Sequence, residues 1–493
     1  MKRYKKGDKS GKNPNVVEEG DVEFISFLMS EIPESCRNQL LRSQEDIVSQ
    51  PGIDPISVKM DDKSLTAVEV FRVAGERFIR EKFIQSSSSG EGDPCRFRHS
   101  ADVYYSGSSA EQVNDAELAG CLFSTAESVA LEQFARATKL LNYCDVLSSC
   151  NGNTVQRLVR YFSEALRERI DRQRGNFSSE GLSKQPKIDV KDASVSSHPV
   201  ILTCHRKIPF TRTLHLAGIQ AIIENVADAK RVHVVDFGVR FGVCWTIFMQ
   251  ALTSREFPPL EILKLTAVGS GTMSKSEIED TGNRLSAFAQ GLNIPFTFSI
   301  VMVDDMLNLS EELFEVEHDE AVAFYASYLL RTMLCVPDRL EYVMTVIRSI
   351  NPRIMVMIES EANTNAPCFG RRFTEALFYY SACFDCLETC MTSSDPDRIF
   401  IESLHCRQAI RNILATEGEM RTTRHVKLSV WRTFFARFGF SETRLSRSSL
   451  HEANSMLKEF TTGRYCNLDM EGKSLTIGWK GTPMVSVSAW KFV

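Results

Sequence analysis

The residues with chemistry to offer gather at one turn, Asp236-Phe237-Gly238-Val239-Arg240-Phe241-Gly242. A turn of type Asp-x-Gly-x-Gly-x-Gly after a first strand can seat adenosyl-methionine, because glycines let the backbone approach the ligand. Here two of the three glycines stand in place and Arg240 takes the middle position. Its long charged side chain is expected to obstruct the approach unless it swings outward. The second strand of such a site should end in an acid for the ribose hydroxyls, yet Thr266-Ala267-Val268-Gly269-Ser270 offers none. Asp304-Asp305 reads as a solvated strand end rather than an adenine contact, and Asn351-Pro352 precedes a strand and reads as a turn. No cofactor is expected, and adenosyl-methionine-dependent methyl transfer is the last of three functional readings. With His233 in the same strand, Asp236 is instead expected to join a polar network that fixes the strand–helix turn.

Other reactive side chains have plainer readings. Cys383, Cys386 and Cys390 recur at i, i+3 and i+7, but a zinc site needs a fourth ligand and usually a loop that lets the ligands converge. Thiols beside Ala382, Phe384 and Leu387 read as helix core, and no metal is expected. Cys335 and His425 lack any Gly-x-Ser-x-Gly context, so hydrolase chemistry has no support. From Arg398 to Arg437 eight Lys/Arg face three acids. A solvated helical face is the bland reading. The sharper one is a docking surface for an acidic segment or DNA phosphates, made by Arg398, Arg407, Arg411, Arg421, Arg424 and Lys427. Lys2, Arg3, Lys5 and Lys6 form a basic cluster that is either a solvated tail or a nuclear-import signal.

Positioning these residues requires alternating elements. Strands are expected at Val232–Gly238, Ile262–Val268, Phe296–Val303, Ala321–Ala326 and Ile354–Ile358, with helices through Cys244–Leu252, Gly282–Ala289 and Leu340–Ile347. This alternation predicts a doubly wound, mostly parallel α/β sheet with helices on both faces. Its element order resembles that of the class I methyltransferase sheet. Before it, apolar stripes run as one continuous helical pattern from about Ala110 to Leu147. A break follows at Asn151-Gly152-Asn153, then a helix from Val155 to Ile170 with Thr154 as its cap. Residues 172–199 read as an exposed loop, and His215–Val226 as a further apolar stripe. Residues 1–110 read as a largely disordered arm with one helix near 65–85. Trp431, Trp479 and Trp490 are expected in the core of the final strands.

The chain of 493 residues allows two to four domains. Its charge of 58 basic against 63 acidic residues, net −5, excludes a histone-like DNA binder. No run approaches the roughly 18 apolar residues of a membrane span. The 14 cysteines, with no apolar leader before them, are expected as reduced thiols in the cytosol or nucleus.

Several ordered motifs then carry a resemblance. Val232-His233-Val234-Val235-Asp236 resembles the VHIID motif of the plant GRAS family of transcriptional regulators, with Val234 in place of Ile. Gly478-Trp479-Lys480-Gly481-Thr482-Pro483 and Ser488-Ala489-Trp490 resemble its SAW motif, and Trp431 and Gly439 have seven residues between them as in that motif. Arg372-Phe373-Thr374-Glu375-Ala376-Leu377-Phe378-Tyr379-Tyr380 resembles the PFYRE region, whose Arg-Glu part appears here as Gln408-Ala409. The likeness covers residues 111–493, divided into a leucine-rich helical cap (111–226) and an α/β core (227–493). It implies a methyltransferase-like sheet with a helical cap, no enzyme activity and nuclear action in plant development or signalling. It also implies a platform recruited by DNA-binding transcription factors of zinc-finger type, pairing with itself or other GRAS proteins, with DNA contacted indirectly or weakly and no membrane. Direct sequence-specific DNA binding is the runner-up. The body is similar to the scarecrow-like and DELLA-like groups. The first 110 residues contain neither Asp-Glu-Leu-Leu-Ala nor Thr-Val-His-Tyr-Asn-Pro, so gibberellin-triggered degradation is not expected.

Overall fold

Ser109 accepts a hydrogen bond from the Gln112 amide, and the Gln112 side chain accepts one from the Ser109 amide. This capping box starts a helix at Ala110. In the computed structural model, which describes residues 65–87, 109–175, 202–253, 258–270 and 274–492, the chain forms two units, built mainly on Val70–Val146 and Leu147–Val493. In the first, Phe71 and Phe78 of α1 (Ala67–Ser87) pack on Phe123 of α2 (Ala110–Ala130) at ring distances of 6.5 and 6.0 Å. The continuous stripe expected as far as Leu147 is two helices. The chain breaks at Glu132, in the left-handed region at φ 57°, before α3 (Phe134–Leu147) returns along α2. The turn brings the Cys144 and Cys121 sulfurs to 3.4 Å. Periodicity missed this break because α2 is buried nearly all round, so its stripe has no edge.

The second unit opens with α4 (Thr154–Gln173). Its cap is Asn153, whose side chain accepts from the Gln156 amide at 3.0 Å, so Thr154 is the first helical residue and not the cap. Beyond α5 (Pro209–Asn225) comes β1 (Arg231–Phe237), paired in parallel with β2 (Ile262–Ser270) and β4 (Ala321–Ser327). β3 (Phe296–Val303) extends the β2 side and β5 (Ile354–Ser360) the β4 side. The crossovers are carried by α6 (Val243–Thr253), α7 (Lys275–Gly291) and α8 (Pro337–Ile350). Strand alternation sorts the core: Val232, Val234, Ala323 and Val356 enter one layer, Val235, Phe237, Phe324 and Met357 the other.

After β5 run α9 (Phe369–Cys390), α10 (Arg407–Ala415) and α11 (Leu428–Ala436), then β6 (Phe440–Thr443) and α12 (Arg447–Glu459). Strands β7 (Cys466–Glu471), β8 (Ser474–Trp479) and β9 (Thr482–Phe492) close the sheet. The order is β3-β2-β1-β4-β5-β9-β8-β7, with β9 antiparallel to β5 and β6 paired to β9 beyond β8. Helix α5, expected in the helical cap, instead packs on β5 and β9 and against α6 and α12. Gly218 permits this approach, since a Cβ there would lie 2.9 Å from Val356 Cγ1. All three motif tryptophans are buried. Trp479 and Trp490 lie on strands, but Trp431 sits on α11, stacked on Phe435 at 5.5 Å, and Phe435 meets Trp490 at 4.8 Å.

Candidate functional site

Residues of β1 alternate between two environments, and this separates His233 from Asp236. His233 faces one layer, with Nδ1 3.0 Å from Glu320 Oε2 and Nε2 2.8 Å from the Thr266 hydroxyl. Burial, with Lys264 nearby, pushes its pKa down to about 3, so it is neutral. Asp236 faces the other layer and accepts from Trp245 Nε1 at 2.7 Å. Burial raises its carboxyl to about 7, against the pull of Trp245 and Arg240. The single network expected of these two residues is therefore two. One ties β1 to its neighbours, and the other ties the strand end to α6. Gly238 and Gly242 then turn the chain at φ 97° and 67°. A Cβ on Gly242 would stand 2.8 Å from Leu285 Cδ1, so a side chain there would have to displace that leucine as well as strain the left-handed backbone.

Above this turn lies a cavity of about 520 Å³. It occupies the switch point between β1 and β4, where parallel sheets of this order open a crevice. Its walls come from the β1–α6 turn, the end of β4 with Tyr328 and Arg331, the segment 202–215, and Ile401 with His405. Arg240 does not plug it. The guanidinium lies along the wall, 5.9 Å from the Tyr328 ring centroid, and the cavity stays open beside Gly238 and Gly242. The expected obstruction is not seen: Arg240 faces the cavity as part of its wall and leaves the space beside Gly238 and Gly242 open. Among the described residues none of the lining comes from β2 or β3, the strands that would carry a nucleoside.

Arg331 is held in place. Its backbone amide donates to Glu359 at 3.2 Å, Nη1 donates to Ser360 at 2.9 Å and lies 3.2 Å from His425 Nε2, and its guanidinium lies 5.0 Å from the Tyr328 ring centroid. Burial raises Glu359 to about 7. His215, 3.3 Å from the Ser327 hydroxyl, is pushed down to about 3 by burial, and burial also lowers His205 and His405. The pocket thus combines neutral imidazoles with two guanidinium groups. Sequence reasoning found Asp236, Gly238, Arg240 and Gly242. It missed His205, His215, Tyr328, Arg331 and His405, which arrive from three separate segments with no shared motif.

The basic residues from Arg398 to Lys427 do not form one exposed basic face, since most are buried or ion-paired while Lys427 stays exposed. Arg398 is buried between Glu388 and Glu402, and Arg421, also buried, donates to the Thr364 carbonyl. Arg407 and Arg411 pair with Glu164 and Glu168 of α4, and Lys427 lies 3.4 Å from Glu375. Arg424 donates to the Gly418 and Arg421 carbonyls. Asp305 caps a short 3-10 turn and pairs with Arg339, a structural role. The Cys386 and Cys390 sulfurs stand 3.8 Å apart on α9, with Cys390 donating to Thr462. Among the described residues no cluster of His, Cys, Asp and Glu has the arrangement of a metal site. Lys2, Arg3, Lys5 and Lys6 lie outside the described residues.

A sheet of order 3-2-1-4-5, an antiparallel closing hairpin and a glycine turn after β1 define a methyltransferase-like α/β protein. Within that class, residues 118–491 match the GRAS domain family, and the chain belongs to this family. It is 30% identical over 395 residues to DELLA protein 1 of Medicago truncatula, covering 77% of this chain and 64% of that one. DELLA protein DWARF8 of Zea mays is 31% identical over 395 residues, covering 76% and 60%. The chain therefore spans less than two thirds of these relatives' lengths. The crystal structure of SCL7 in Oryza sativa matches with a TM-score of 0.66 and 26% identity, covering 76% of this chain and 99% of that one.

Proposed function

We propose that this chain is a nuclear transcriptional co-regulator of the plant GRAS family, a non-enzymatic platform brought to promoters by DNA-binding transcription factors. One observation carries the reading: family membership across residues 118–491 coincides with a cofactor turn whose middle glycine is Arg240 and whose second strand lacks a ribose acid. Zinc-finger factors and other GRAS proteins are the partner classes the family resemblance supports, with pairing to itself or a relative. Direct DNA binding is the second reading: Arg398 and Arg421 are buried and Arg407 and Arg411 pair with Glu164 and Glu168, which leaves Lys427 the most exposed of the candidate cations.

The test has two arms. Fused to a heterologous DNA-binding domain, the full chain should change expression of a reporter carrying that domain's site, and unfused it should not. Calorimetric titration with adenosyl-methionine should release no saturable heat. Unchanged reporter output from the fusion, or one adenosyl-methionine bound per chain, would overturn the proposal.

A further inference from the structure

The open cavity over β1 and β4 contains a cation with no hydrogen-bonded or ion-paired partner among the described residues. Among the described residues the Arg240 guanidinium makes no hydrogen bond and no ion pair; it lies 5.9 Å from the Tyr328 ring centroid. Arg331, by contrast, is engaged by Glu359, Ser360 and His425. The rest of the wall is largely apolar, with Leu202, Phe241, Val243 and Ile401 facing the space. Its 520 Å³ lies within the range of pockets that enclose a small organic molecule.

We propose that this cavity binds a small, mostly hydrocarbon carboxylic acid, with the carboxylate on Arg240 and the hydrocarbon body against the apolar wall. A guanidinium offers a planar fork that matches a carboxylate with two parallel bonds. A dianionic phosphate would find only one unengaged guanidinium, with the Asp236 carboxyl near Arg240 and the Glu359 carboxyl near both arginines. Burial pushes those two acids up to about 7, so at neutral pH they return only part of the positive charge. Histidines 205, 215 and 405 are held neutral by burial and add no charge of their own. A monoanion therefore suits the site. An adenosyl ligand does not, since the lining leaves out β2 and β3.

Pyrene-1-butyrate is a suitable fluorescent probe, and pyrene-1-butanol is its uncharged counterpart with the same ring. In a titration of the full chain the acid should saturate at one site per chain and bind roughly 10–100-fold tighter than the alcohol, the worth of a charge-assisted contact. Arg240→Gln should erase that preference while alcohol binding persists, and Arg240→Lys should keep part of it. Arg437→Gln, at an exposed ion pair outside the cavity, should leave both affinities unchanged. Thermal melts establish that each variant is folded, and a variant that fails to melt cooperatively is replaced by Arg240→Met. Equal binding of acid and alcohol, no saturable binding, or a folded Arg240→Gln chain that still prefers the acid would each overturn the inference.

Discussion

At the scale of the residue, Asp236 shows how burial sets chemistry. Its carboxyl is fixed by Trp245 Nε1 but is raised to about 7, chiefly because burial penalises the charge. An acid whose folded pKa exceeds its unfolded value holds its proton in the native state after the unfolded chain has released it. Stability therefore falls as pH rises from about 4 to about 7, and levels off above. Asp236→Asn keeps an acceptor for Trp245 and removes the titration. Relative to the parent, it should gain stability across that window, by roughly 1–3 kcal/mol between pH 4 and 8. Glu359 titrates in the same range, so the parent retains its own slope and the comparison must be the difference between two urea-unfolding series. A pH-independent difference would show that Asp236 is not held protonated. The sequence placed Asp236 at a strand end but not its partner, since parity along β1, and not proximity to His233, decides which layer it enters.

At the scale of the element, the strands were legible and the helix boundaries less so. Phe296–Val303 is a strand over the whole expected range, and β1, β2, β4 and β5 deviate by one or two residues, because buried parallel strands show as short β-branched runs between polar breaks. The stripe through Leu131-Glu132-Gln133 misled because apolar residues continued in phase while the axis reversed. The end of the chain is a cooperative aromatic joint between elements: Trp490 on β9 meets Phe435 on α11, which stacks on Trp431, while β9 also holds β5, β6 and β8. Trp490→Ala should cost roughly 3–5 kcal/mol in chemical denaturation. Trp490→Phe, which keeps an aromatic surface, should recover a large part. Loss of reporter activity in the alanine variant with recovery in the phenylalanine variant would assign the effect to folding rather than to a lost partner contact.

At the scale of the whole molecule, charges far apart in the chain are spent on one another. Arg157 of α4 donates to Glu402 at 2.9 Å and to Glu388, while Arg398 binds the same two carboxylates. These partners are up to 245 positions apart, so no local window could separate this buried cluster from a solvated basic face. The same is true of the cavity, whose histidines and tyrosines converge only through topology. Glu402 is almost fully buried, and burial raises its pKa against the pull of both arginines. Glu402→Ala would leave two guanidinium groups sharing Glu388, which is itself 38% exposed. The expected loss is roughly 3–5 kcal/mol, the cost of stranding a buried charge. Glu341→Ala, which breaks the exposed pair with Arg437, should cost under about 1 kcal/mol and vanish in high salt. Urea unfolding of both variants at low and high ionic strength separates the cases. A Glu402→Ala deficit that disappears with salt would mean that this cluster is solvent-screened, and would return Arg398 to the set of residues free to meet a partner.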